Sequence, residues 1–285
     1  MWLCPLCSES LRKTQKIWMC KNRHSYDEAK AGYVNLLPVQ HKHSLVPGDN
    51  KQMVKARRLF HATKGYQPLM DELSRLISKL VPFHEVSELS LFEAGCGEGS
   101  YLAALADSLA QHGAGVKSAG IDISKPAIEL ASKAYKGCQF AVGSNFKLPL
   151  QANSQDIILQ VFAPGKMSEY KRVLAPRGIL VTVDPGRNHL WELKERIYAT
   201  PRQHEQLNQQ QDDFKNVATE ALSFNLDLTD KVRQQGLLDM TPYVWKLNDH
   251  KRAQIDAELT SVTADFTLRI WQQLPENGNE AEHAQ

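Results

Sequence analysis

The chain has 285 residues, 42% of them hydrophobic and 23% charged, with a net charge of +2. That balance is ordinary for a globular protein, long enough for one large domain and a small one, and it excludes a collagenous or low-complexity chain. No apolar run approaches the length that spans a bilayer, and Met1-Trp2-Leu3-Cys4 lacks the charged start and apolar core of a signal peptide. A cytoplasmic location with no membrane partner is therefore expected. The charge is unevenly placed: residues 1–66 hold 12 Lys and Arg against 4 Asp and Glu, and the rest of the chain holds 22 against 28. Such segregation predicts that the basic part meets a polyanion, the alternative being an unevenly decorated solvated surface.

Cys4, Cys7, Cys20 and His24 read C-x2-C-x12-C-x3-H, the spacing of a closed tetrahedral zinc site. Cys4 and Cys7 make one chelate loop; Cys20 and His24 supply the second pair from the next hairpin or turn. With four protein ligands the metal has no open position for water, so Zn2+ is expected to be structural. About 25 residues bury too little surface to fold alone, so metal affinity becomes folding energy. Leu11, Ile17 and Trp18 are expected to pack against the metal. Trp2, Trp18, Tyr26 and Tyr33 interleave with Arg12, Lys13, Lys16, Lys21 and Arg23, a pattern suited to unstacked RNA bases. The same rings could instead fill the module's own core. Residues 1–35 are expected to form this zinc-binding, RNA-recognition module. Cys96 and Cys138 are isolated, and no disulfide framework is expected.

Residues 36–85 read as a linker and a helical segment. Pro38, Pro47, Gly48 and Asp49 carry turn chemistry. From Gln52 to Lys64, Met53, Ala56, Leu59 and Phe60 fall at helical spacing, with Lys51, Lys55, Arg57 and Arg58 on the other faces. That basic run faces either phosphates or solvent.

Residues 86–274 read as a large α/β domain. A short apolar strand, 89–95, runs into Glu93-Ala94-Gly95-Cys96-Gly97-Glu98-Gly99, and 100–110 follows as a helix. The glycines let backbone approach a nucleotide-like ligand beside a helix N-terminus. A second strand, 116–122, ends at Asp122, whose carboxylate can accept both hydroxyls of a ribose. The turn is G-x-G-x-G preceded by an acid, so Glu93 would favour a cationic group over a pyrophosphate. Helix 126–135, strand 139–144, strand 155–162, helix 166–174 and strand 179–184 keep the alternation of a parallel sheet covered on both faces. Residues 199–235 are polar and Gln-rich and predict helical and loop material. Strands are expected again at 240–247 and 262–271, the latter alternating with a period of two. Residues 275–285 are polar and predict a disordered tail.

The glycine turn with Asp122 resembles class I S-adenosylmethionine-dependent methyltransferases. That resemblance implies a Rossmann-like seven-stranded sheet, a glycine turn around the methionine part, and Ser144 where adenine is contacted. A narrower likeness covers nearly the whole chain. The zinc set, GYVNLLPVQHK (32–42), PGD (47–49), ARRLF…GYQPL (56–69), GCGEG, the FAP ending at Pro164, PG..HL (185–190) and MTPYVW resemble the 23S rRNA guanine-N1 methyltransferases, which act on a hairpin loop in domain II. The resemblance implies a homodimer, a zinc domain that helps grip RNA, and Tyr66 and His189 joining Gly97 and Glu98 around S-adenosylmethionine. Guanine N1 carries a proton, so transfer needs an acceptor. Asp184, at the end of a strand, is the geometric candidate. A small-molecule methyltransferase of the same fold and a non-catalytic zinc protein that binds RNA are the rival readings.

Overall fold

The computed structural model describes residues 2–38, 48–81, 86–205 and 213–274. The N-terminal ribbon is an antiparallel sheet of β1 (Arg12–Thr14), β2 (Ile17–Met19) and β3 (Ser25–Asp27). Its strands are three residues long and largely exposed, so they offer little apolar face to hold them. Leu11 is buried as expected, but Ile17 is exposed. The two-residue period puts Ile17 and Met19 on the face opposite Trp18, and the ribbon covers only one face.

The ribbon is tied to the large sheet. β4 (Val34–Asn35) adds in parallel to the edge of that sheet, Trp2 bridges Leu150, and the Leu3 amide donates to the Pro149 carbonyl at 2.8 Å. Trp2 and Tyr33 are buried in these seams and are not free to stack on a base.

Helix α1 (Lys51–Ala62) starts at Asn50, whose side-chain oxygen accepts the Gln52 and Met53 amides at 2.9 and 3.0 Å. It buries Met53, Val54, Ala56 and Phe60, while Leu59, expected inward, is 54% exposed. Its arginines are committed: Arg57 pairs with Asp49 at 2.5 Å and Arg58 with Glu98 at 3.1 Å. Lys51 and Lys55 remain on the exposed face. Helix α2 (Gln67–Leu80) follows, with Pro68 in its first turn.

The large sheet contains β5 (Glu88–Ala94), β6 (Gly115–Asp122), β7 (Gln139–Val142), β8 (Gln155–Val161), β9 (Leu174–Pro185), β10 (Phe214–Asp227) and β11 (Ser261–Gln273). The order is β10-β11-β9-β8-β5-β6-β7-β4, parallel from β4 to β9 and antiparallel at β9, β11 and β10. The expected seven strands are thus present, with β4 as an eighth from the N-terminal part. Adjacent residues such as Leu91 and Phe92, or Ile157 and Ile158, fall into two separate apolar clusters, one per face. The connections are α3 (Ser100–Ala110), α4 (Lys125–Ala134), α5 (Met167–Val173), α6 (Trp191–Ile197), α7 (Lys231–Met240) and α8 (Asp249–Glu258).

Two expectations fail. Within 199–235, residues 214–227 form β10, paired along its length with β11. Its polar composition reads as loop because one face of this edge strand meets solvent. The strand expected at 240–247 is the end of α7 and a short 3-10 helix, Pro242–Lys246. Pro242 has no amide for a ladder, and the Thr241 hydroxyl bonds back to the Leu237 carbonyl at 2.7 Å. The 275–285 tail, residues 39–42 of the GYVNLLPVQHK string and Pro47 lie outside the described residues.

Candidate cofactor cavity and metal centre

Cys4, Cys7, Cys20 and His24 converge, with ligand atoms all within 4.8 Å of one another. His24 Nδ1 lies 3.5, 3.3 and 3.5 Å from the sulfurs of Cys4, Cys7 and Cys20, and the Cys7 and Cys20 sulfurs are 3.7 Å apart. A tetrahedron with Zn–S arms of about 2.3 Å and a Zn–N arm of about 2.0 Å has edges of about 3.5 and 3.8 Å. The donor set therefore fits zinc in both spacing and softness. The Glu9 amide and other donors lower the Cys7 thiol to about 6, whereas burial raises the Cys20 thiol, which a bound metal would have to offset.

The second site lies where the chain reverses direction across the sheet. Strands β5, β6 and β7 run outward one way and β8 and β9 the other, so the carboxyl ends of β5 and β8 flank a crevice. A cavity of about 510 Å³ opens there, within the range of small-molecule sites. Gly95, Gly97, Glu98, Asp122, Ser144 and Tyr66 all line it. Gly95 sits at φ +77°, and a Cβ there would overlap the Ala163 methyl and lie 2.9 Å from Asn145 Nδ2. Gly97, at φ +54°, would aim a Cβ at the open cavity, with only Arg57 Nη1 at 3.6 Å. Gly99 is the left-handed residue that starts α3, and no side chain caps that helix.

Asp122 accepts the Gly97 amide at 2.9 Å and the Ser124 amide at 2.7 Å, one on each oxygen. Burial raises this carboxyl, and the two amides oppose the shift. Each oxygen keeps a second acceptor direction. Glu93 is fully enclosed in the wall, one of its oxygens has no hydrogen-bond partner, and burial, then Glu98, push it well above the usual carboxylate range. A buried carboxyl with an unmet acceptor suits a cationic ligand. The glycine approach, the free acceptor directions and Glu93 together fit S-adenosylmethionine, with its ribose hydroxyls and its cationic methionine end.

His189 is buried behind Tyr66 and does not itself line the cavity. The Asp265 amide donates to its Nδ1 at 3.3 Å, so the neutral ring carries its proton on Nε2, 3.5 Å from the Tyr66 hydroxyl. Burial, then His204, lowers His189 to about 3, and it stays neutral. Asp184 stands apart from the cavity, its carboxylate held by Arg269 at 2.9 Å. Sequence reasoning missed His61, Asn145, Phe162 and Met240 in the wall. His61 lies among Phe60, Tyr66 and Tyr101, its Nδ1 is unpartnered, and burial lowers it to about 4. Phe162 and Met240 carried a signal, as parts of the FAP and MTPYVW strings.

Residues 2–45 match the family described as RlmA, N-terminal, a zinc ribbon, and residues 85–227 match a methyltransferase domain family. Bacillus subtilis (strain 168) YxjB, which carries a provisional name as a 23S rRNA (guanine-N(1)-)-methyltransferase, is 32% identical over 277 residues, 95% of each chain. A Streptomyces fradiae 23S rRNA (guanine(748)-N(1))-methyltransferase is 29% identical over 280 residues, 95% of this chain and 96% of that one. With both modules matched and such relatives aligned nearly end to end, this chain belongs to the S-adenosylmethionine-dependent 23S rRNA (guanine-N1-)-methyltransferase family.

Proposed function

We propose that this protein transfers a methyl group from S-adenosylmethionine to N1 of one guanine in a hairpin loop of domain II of 23S rRNA, as a cytoplasmic homodimer. The observation that carries this reading is the span of the similarity. It covers 95% of the chain, zinc ribbon included, so the ribbon and the cavity serve one function.

When bound, S-adenosylmethionine supplies an electrophilic methyl group, and the protein's task is position and orientation. Asp122 would hold the ribose hydroxyls and Ser144 the adenine. Gly95, Gly97, Glu98 and Gly99 would shape the turn around the methionine part, with Glu93 facing its ammonium. With its own oxygen accepting from His189, the Tyr66 hydroxyl keeps its proton for the cavity. Among the lining groups, His61 keeps an unpartnered Nδ1 that could take the guanine N1 proton, whereas Asp184 lies outside the cavity lining and its carboxylate is already held by Arg269. A loop base leaves its stack cheaply, and the basic residues of positions 1–66 supply salt-dependent attraction to the phosphates.

The test is transfer of labelled methyl groups to 23S rRNA lacking its native modifications. Incorporation into RNA that fades with rising salt is expected. Incorporation into low-molecular-weight metabolites alone would replace this reading with the metabolite enzyme.

A further inference from the structure

The geometry points to Phe162 as the stacking platform for the guanine that receives the methyl group, an inference that rests on the proposed RNA substrate. Phe162 follows β8 directly and lines the cavity, yet it is 42% exposed. Its backbone sits at φ +51°, a left-handed conformation that aromatic residues rarely adopt. Such strain persists only where the surroundings over-determine it, and it concentrates at functional sites.

The surroundings here do over-determine it. The Phe162 amide donates to the Val183 carbonyl at 3.1 Å, and Asn145 Nδ2 donates to the Pro164 carbonyl at 2.9 Å. Gln160 Nε2 donates to the Ala163 carbonyl. The Ala163 methyl occupies the space that a side chain on Gly95 would need, and the Tyr170 hydroxyl occupies the corresponding space at Gly165. The ring itself is backed by His189, 5.9 Å away and tilted by 31°, and by Phe266 at 5.7 Å. The loop is thus held by contacts that leave an aromatic surface facing the cavity.

Position along the sheet says what that surface meets. Asp122 and Ser144, the nucleoside-facing groups, end β6 and follow β7, on one side of the β5 glycine turn. Phe162 follows β8, on the other side. In-line transfer brings the acceptor in opposite the sulfur, along the sulfur–methyl bond, and Phe162 shares the cavity lining with His61, Tyr66, Met240 and Pro242. That lining is apolar and rich in π faces, as a flat purine extruded from a loop requires.

The test compares binding of two synthetic domain II hairpins, one with the target guanine and one abasic at that position, in the presence of S-adenosylhomocysteine. The wild-type protein should prefer the guanine hairpin by about 10-fold, the scale of one base–aromatic stack. Phe162→Gly, which suits the positive φ and should fold, is expected to lose that preference while keeping its affinity for S-adenosylmethionine by calorimetry. Phe162→Trp should retain the preference, and Phe162→Leu, which keeps the bulk without the π face, should lose it. A preference unchanged in both F162G and F162L, or a loss of cofactor affinity with the preference intact, would overturn the assignment. A wild-type protein with no preference and no methyl transfer to rRNA would instead overturn the substrate reading, and this role with it.

Discussion

The zinc ribbon and the cofactor cavity are held in place by opposite means. The ribbon's strands are three residues long and mostly exposed, and four ligand atoms do the work of a core. The cavity stands on strands buried on both faces, and its shape depends on glycines that leave room for neighbouring side chains. The ribbon should therefore fail through metal chemistry, and the cavity through single atoms out of place.

The largest effect is expected from removing the metal. Structural zinc contributes on the order of 10–16 kcal/mol of binding free energy in zinc-finger peptides at neutral pH. Chelation, or Cys20→Ser, should make the first 35 residues protease-sensitive and abolish RNA binding. Cofactor affinity measured by calorimetry should change less than about threefold, since Asp122 and the glycine turn lie outside the ribbon. A concerted loss of both would mean that the seam at Trp2 and β4 makes the two regions one folding unit.

Next comes Gly95→Ala. It meets the Ala163 methyl at a positive φ, and destabilisation of roughly 3 kcal/mol is expected in denaturant titrations. Gly97→Ala sharpens the contrast. Its methyl group meets only Arg57 Nη1 at 3.6 Å, so stability should fall by only about 1 kcal/mol while cofactor affinity is lost.

A smaller effect concerns pH. His189 is lowered to about 3 in the folded protein, chiefly by burial, against about 6.5 when unfolded. The unfolded state then binds more protons below pH 6.5, so stability is present above that value and is lost as the pH falls towards 3. At pH 5 the loss is about 2 kcal/mol. Glu93 acts in the opposite sense, because its folded pKa is raised and its contribution fades as pH rises. The difference in slope between wild type and His189→Asn isolates the histidine; equal slopes would mean that the ring is not buried neutral.

The smallest expected effect is Asp122→Asn. The amide keeps one acceptor oxygen for the Gly97 and Ser124 amides, so a stability loss of about 1–2 kcal/mol is expected, with roughly 10-fold weaker cofactor binding. Retention of full affinity would remove Asp122 from the ribose role.

The contrast between the two regions also explains what could be read in the sequence. The zinc ligands are legible because metal geometry fixes their spacing, and the glycine turn with Asp122 is legible because it is local to one strand, turn and helix. The shared wall of His61, Phe162 and Met240 was not, because they come from α1, the residue after β8 and the end of α7 and meet only when the sheet brings their ends together. The burial of Trp2 and Tyr33 depends on β4 joining β7, a parallel pairing with no local signal. β10 was hidden by its solvent-facing polar side chains, and the 3-10 turn at Pro242 by apolar residues that mimic a strand.

The most direct measurement is primer extension across unmodified 23S rRNA after incubation with S-adenosylmethionine and either the intact or the zinc-stripped protein. The account predicts one strong stop at a single guanine in a domain II hairpin loop with the intact protein, and none with the stripped protein, although both bind the cofactor. No stop with the intact protein while cofactor binding persists, or an undiminished stop without zinc, would contradict it.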